Sequence, residues 1–230
     1  MTYKKSVFAN GTKIITEGLS HAKSVSLGIW VNAGSRDERD KDRGIFHLIE
    51  HMTFKGTQSR SAIQIAKDLD TIGGFSNAFV GKEQTCFHAR VLDRHLQFLT
   101  DLLSDIFINS IFAERDLELE KAVVLQEISM VEDTPDEYVQ VLFDQTFWAG
   151  DSLGKPILGT KETVSSITRR EILDYVSRFY SPERLIIAAA GNVDHDLLVD
   201  YFRTFFESLP NQDNGSAARP IPLTTPTVSS

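Results

Sequence analysis

Several things are scarce in this chain, and each absence narrows what it can be. Cysteine occurs once, at Cys86, which rules out an internal disulfide and any cysteine-built zinc site. Cys86 lies between Thr85 and Phe87 in an apolar, strand-like run and reads as a core thiol. No sustained basic run appears, and 24 Lys and Arg against 32 Asp and Glu leave a net charge of −8. Nucleic acid and acidic membrane surfaces call for a positive patch, so neither is expected as a partner. No apolar run approaches the roughly 18–20 residues of a membrane span, and no secretory apolar region follows Lys4-Lys5. A reducing interior is the expected location: bacterial cytoplasm in the absence of a transit peptide, with the mitochondrial matrix as the alternative. What remains, 41% hydrophobic and 24% charged over 230 residues, is an ordinary globular composition with enough length for a buried core.

Patterning divides the chain into strands and helices. Tyr3–Phe8 and Thr12–Thr16 read as strands joined at Asn10-Gly11, a hairpin turn signal. In Lys23–Val31, Val25, Leu27, Ile29 and Val31 alternate with Ser24, Ser26 and Gly28, the period of a half-buried strand. The polar stretch Gly34–Asp42 reads as a loop, and Gly44–Phe54 and Ser61–Ile72 as helices. Phe75–Phe79 and Gln84–Val91 read as paired strands around Gly81. Asp93–Ile108, Ala113–Glu132 and Pro135–Phe147 follow as helices, then a glycine-rich loop at Asp151–Thr160. Thr168–Phe179 reads as helix, Leu185–Ala190 as strand and Asp194–Phe205 as a last helix. Asn211–Ser230 changes in kind, to Pro, Ser, Thr, Asn and Gly with no core pattern, so a linker or tail is expected after a domain at 1–210. No internal repeat is visible. The sum predicts an α+β fold, a mainly antiparallel sheet with helices packed on one face.

The chemistry concentrates at His47-Leu48-Ile49-Glu50-His51. This is the zincin order His-Glu-x-x-His reversed. At about 100° per residue, His47 and His51 point about 40° apart on one helix face, with Glu50 about 60° from His47 on their flank. Two imidazoles so placed can hold one zinc, and the carboxylate lies close enough to act on its water. A third protein ligand is then required, and Ala113–Glu132 offers Glu118, Glu120, Glu127 and Glu132. Glu120 and Glu127, two turns apart, share a face bordered by Val123, Val124 and Ile128, where a carboxylate needs a compensating charge. One would ligate while the other accepts a hydrogen bond from a ligand histidine; spacing alone leaves open which. Taken singly, a His-x-x-Glu-His triplet or a heptad-spaced glutamate pair is most often just a solvated helix face. Asp194-His195-Asp196 also carries metal-friendly atoms, but it follows a strand, so Asp194 reads as a helix cap beside an exposed His195.

Over about residues 3–205 the chain resembles the N-terminal domain of the pitrilysin/insulinase clan of inverted zinc peptidases, in its mitochondrial-processing-peptidase-like branch. The blocks that carry the resemblance run in order. They are the Asn10-Gly11 hairpin, Gly28 to Glu38, Gly44 to Thr57, Gly73 to Ala78 with Glu83 and Thr85, Glu120 to Ile128, and Leu153-Gly154 with Pro156 to Gly159. The resemblance implies the metallopeptidase fold shared with LuxS and the processing peptidases. It also implies a zinc endopeptidase acting on extended or unfolded peptides. The family's metal-binding glutamate falls about 76 residues after the second histidine, which lands on Glu127, so the implied ligands are His47, His51 and Glu127. Glu50 is then the implied catalytic base and Glu120 the supporting acidic residue. Asn77, Ala78 and Phe79 match the strand edge that pairs with substrate backbone, a mode that tolerates many sequences. Phe79-Val80-Gly81-Lys82 departs from the commoner Thr-containing version, which leaves side-chain preference open.

Members of the clan carry two such domains per polypeptide and close a chamber as homo- or heterodimers. Their carbonyl-assisting Arg and Tyr reside in a C-terminal domain, so no residue here takes those roles. The resemblance thus implies a peptide substrate, a complementary C-terminal domain as partner, and little activity for these 230 residues alone. Non-catalytic core and interaction subunits share the fold and form the alternative; they characteristically lose a zinc ligand or the base, and here all four positions are present.

Overall fold

The alternation in Ser24–Val31 (β3) places one side chain in two on a dry face, and that strand lies near the middle of a six-stranded sheet. The structure, a computed structural model, describes residues 3–210. The other strands are Lys4–Val7 (β1), Lys13–Gly18 (β2), Phe75–Val80 (β4), Thr85–Leu92 (β5) and Leu185–Gly191 (β6), in the order β1-β2-β6-β3-β5-β4. All neighbouring pairs are antiparallel except β2–β6, which run parallel from Lys13↔Ile186 to Gly18↔Gly191. β6 therefore enters from the far end of the chain to bind the N-terminal hairpin to the rest of the sheet. The expected α+β class with a mainly antiparallel sheet holds.

Among the described residues there are eight helices: Ile45–Thr53 (α1), Ala62–Ile72 (α2), Leu96–Asn109 (α3), Glu114–Asp133 (α4), Pro135–Phe147 (α5), Lys161–Ser166 (α6), Arg169–Phe179 (α7) and His195–Phe206 (α8). Val25, Leu27, Ile29 and Val31 of β3, Phe87, Ala89 and Val91 of β5, and Leu185 and Ile187 of β6 point into one core. Helices supply its other half: Ile45, Phe46, Leu48, Ile49 and Met52 from α1, Leu99 and Leu103 from α3, Phe179 from α7, Phe202 and Phe206 from α8. The opposite sheet face keeps Ser26, Arg90 and Ala190 exposed, so helices cover one side only. No helix among the described residues is long and apolar enough to cross a membrane.

The structure departs from the sequence reading at four places. Gly34–Asp42 is no free loop: it forms 3-10 turns at Ser35–Asp37 and Asp40–Asp42, with Ser35, Glu38 and Asp42 buried. The Asp42 carboxylate and the Ser35 carbonyl are met by partners within the protein. The Tyr175 hydroxyl donates to Asp42 at 3.0 Å, and the Arg43 guanidinium donates to the Ser35 carbonyl at 3.0 Å. The glycine-rich loop ends in a helix the sequence reading lacks, α6, whose first turn is capped by the Thr160 hydroxyl accepting from Thr163 N–H. The helix expected at Asp93–Ile108 opens with a 3-10 turn, Asp93–His95, before α3 begins. His195 is buried, not exposed: its two ring nitrogens bond the hydroxyls of Ser6 and Thr16, each at 2.8 Å. Asp194 does cap α8, accepting from Leu197 N–H at 2.9 Å. Cys86 is fully buried, and burial pushes its thiol up to about 12. The tail expected at Asn211–Ser230 lies outside the described residues.

Candidate metal centre

The geometry of the centre begins with how α1 is held. Gly44 precedes the helix at φ +91°, a left-handed conformation. A Cβ there would meet the Leu158 carbonyl oxygen at 2.5 Å, so glycine is needed twice over. Glycine offers no capping side chain, and the first N–H groups of the helix go to Glu38 instead. Its carboxylate accepts from Gly44 N–H and Phe46 N–H, each at 3.0 Å. Burial pushes the Glu38 carboxyl up to about 8, against the pull of those two hydrogen bonds and of Arg43.

With its apolar stripe in the core, α1 turns His47, Glu50 and His51 towards α4. The imidazole centroids of His47 and His51 are 4.6 Å apart. From α4, Glu127 brings its Oε2 within 3.6 Å of His47 Nε2 and 3.7 Å of His51 Nε2. One ligand atom from each of these three residues lies within 4.8 Å of the others, the only such trio of His, Cys, Asp or Glu among the described residues. Tetrahedral zinc with bonds near 2.0–2.2 Å separates its ligands by about 3.3 Å. Two nitrogens and a carboxylate oxygen at these distances therefore suit zinc in both number and chemistry. His47 is pushed down to about 4, by burial first and then by the neighbouring His51. It is therefore a neutral imidazole near pH 7, the form that ligates a metal.

Glu120 stands behind this trio. Its Oε2 lies 3.0 Å from His51 Nδ1 and its Oε1 2.6 Å from Lys55 Nζ. Glu50 sits beside the trio, with its carboxyl raised chiefly by burial. His51 offsets part of that rise, Glu127 adds to it, and the Val80 backbone N–H lowers it again. A carboxyl so poised takes and returns a proton more readily than a solvated one. Val80 ends β4, an edge strand, which brings that sheet edge up to this carboxylate. On β4, Asn77 and Phe79 are exposed and Ala78 is buried. The Asn77 side chain accepts from Ala78 N–H at 2.9 Å, and Phe79 packs edge-on against Trp30 with centroids 5.7 Å apart. The outer edge of β4 bonds no other strand among the described residues.

His47, Glu50, His51, Glu120 and Glu127 thus meet at one corner, where α1, α4 and the Val80 end of β4 converge, whereas Glu118 and Glu132 pair with Lys121 and Lys161. Asp194-His195-Asp196 is remote from it, spent on capping α8 and on the Ser6 and Thr16 hydroxyls. Sequence reasoning missed Glu38, Lys55 and the Val80 N–H. Lys55 left a faint signal, four residues past His51; the other two left none.

The signature of the insulinase peptidases, family M16, matches residues 13–161, and that of the "peptidase M16 inactive domain" matches residues 166–230. A protein named an uncharacterized zinc protease of Streptomyces coelicolor is 41% identical over 206 residues, covering 90% of this chain and 45% of that one. YmxG of Bacillus subtilis, named in the same way, is 42% identical over 202 residues, covering 88% and 49%. The chain spans about half the length of the curated relatives it matches. Among solved structures, a protease from Helicobacter pylori superposes with a TM-score of 0.88 at 22% identity, over 92% of this chain and 51% of that one. The periplasmic protease PqqL of Escherichia coli gives 0.82 at 19%, over 90% and 24%. At such identities these two attest the fold.

Proposed function

The chain belongs to the insulinase family of peptidases, family M16, and from that premise we propose that it is the metal-binding part of a zinc-dependent endopeptidase. The observation that carries the reading is the convergence of His47, His51 and Glu127 on one point, with Glu50 alongside. We assign His47, His51 and Glu127 as the residues that would hold zinc. Bound there, zinc would act as a Lewis acid and lower the pKa of water toward 7. Glu50 takes the proton of the attacking water and hands it to the leaving amine. Glu120 orients His51 by accepting from Nδ1, which leaves Nε2 free to ligate. The edge of β4 at Asn77, Ala78 and Phe79 is the proposed seat for an extended substrate, paired through its main chain.

The non-catalytic alternative is the weaker reading, since such a subunit has no need of all four groups held in one cluster. A complementary half is the proposed partner, in a homo- or heterodimer, supported by relatives twice this length. The relatives reported above are bacterial, and a bacterial cytoplasm is the proposed setting.

Elemental analysis of the full-length protein tests the centre directly. About one zinc per chain is expected after dialysis against metal-free buffer, falling to background in His51→Ala. Zinc absent from the wild-type protein, or kept in full by His51→Ala, refutes the assignment.

A further inference from the structure

We propose that Lys55 is a positioning residue of the metal centre, acting on His51 through Glu120. This inference rests on the zinc reading above. Glu120 is buried, at 7% exposure, and a buried carboxylate is costly unless its charge is met. Lys55 meets it at 2.6 Å, and no other cation pairs with Glu120 among the described residues. The neighbouring Lys121 turns instead to Glu118, at 2.8 Å.

The two carboxylate oxygens have separate tasks. Oε1 faces Lys55, which leaves Oε2 to face His51 Nδ1 at 3.0 Å. A carboxylate can only accept, so His51 carries its proton on Nδ1 and donates it. That fixes the tautomer with a bare Nε2, the nitrogen turned toward Glu127. Any rotation of the Glu120 carboxyl that freed His51 would break both contacts at once. Lys55 is itself anchored, since its N–H donates to the Met52 carbonyl at 3.1 Å in the turn that closes α1. His51 and Lys55 thus grip one α4 carboxylate from successive turns of the α1 end. Without the ammonium, Glu120 keeps one partner and gains freedom to swing, and the ring it orients gains the same freedom.

The test is zinc affinity of the full-length protein, by competition with a chromophoric chelator. Lys55→Met should weaken zinc binding about tenfold or more, the range for lost outer partners of ligand histidines. Lys55→Arg should recover most of it. The deciding comparison is made in a Glu120→Gln background. If Lys55 acts through Glu120, adding Lys55→Met there changes zinc affinity little. Ring-nitrogen NMR of the metal-free protein supplies a second readout. His51 should hold the Nδ1–H tautomer in the wild type and in Lys55→Arg, and mix tautomers in Lys55→Met. Unchanged affinity in Lys55→Met, or an equal loss with and without Glu120, overturns the proposal. A wild-type protein that binds no zinc overturns the centre itself, a distinguishable failure.

Discussion

At the scale of single residues, the proposed centre would separate holding a metal from moving a proton. Glu127 is fixed by its place opposite two imidazoles, whereas Glu50 lies to one side with its carboxyl raised chiefly by burial. Glu50→Gln keeps the side chain's size and removes its basicity. Zinc content should stay at the wild-type level while peptide hydrolysis by the full-length protein drops by roughly 10²–10⁴-fold, the usual worth of a general base. Turnover within a few-fold of wild type would dismiss Glu50 as the base. The pair of histidines and Glu50 was legible because three residues on one helix need only the helical repeat to be placed. Choosing between Glu120 and Glu127 took a resemblance, since both lie on one face and the distinction is which one His51 Nε2 sees. Lys55 sits just past the end of α1, where helical geometry stops predicting direction. Its partner is 65 positions away on another helix.

Among the elements, α1 is held least conventionally, because its cap comes from a buried glutamate on an upstream turn. Glu38 has its carboxyl raised from 4.5 to about 8. A folded-state value above the unfolded one means that the folded protein binds the proton more tightly. Stability should therefore be highest at acid pH in this respect and decline as pH rises from about 4.5 to about 8. Glu38→Gln does not titrate, so its urea midpoint, measured on metal-free protein, should follow pH less steeply across that window. Slopes identical in the two proteins would mean that Glu38 titrates normally. This cap was not legible in the sequence, since a charged stretch without periodicity reads as solvated until its partners are known. The parallel pairing of β2 with β6 was hidden for a related reason. Each strand is recognisable alone, but the register joining them spans most of the chain. The burial of His195 follows from that same closure, because Ser6 and Thr16 reach it from β1 and β2.

On the scale of the whole molecule, the metal centre lies at an unfinished surface. Leu119, Val123 and Met130 form an exposed stripe on α4 beside the face that carries Glu120 and Glu127. The next helix, α5, has no buried residue and presents Val139, Leu142, Phe143 and Phe147 to solvent. Exposed apolar side chains on two successive helices, one of them bearing Glu120 and Glu127, suit a face that another body would cover. The centre also contributes only part of what amide hydrolysis requires. In the proposed reading His47, His51, Glu127 and Glu50 would account for metal and proton transfer, and the oxyanion that develops on a substrate carbonyl would call for donors of its own. Residues 1–230 should therefore bind zinc yet cleave an unstructured fluorogenic peptide far more slowly than a relative of twice this length. Supplying a complementary half from such a relative as a second polypeptide should raise the rate, and Glu50→Gln in residues 1–230 should abolish the gain. Rates from residues 1–230 that match the longer relative's would show instead that this domain stabilises the oxyanion itself, and a donor near Glu50 and Val80 would then have to be found.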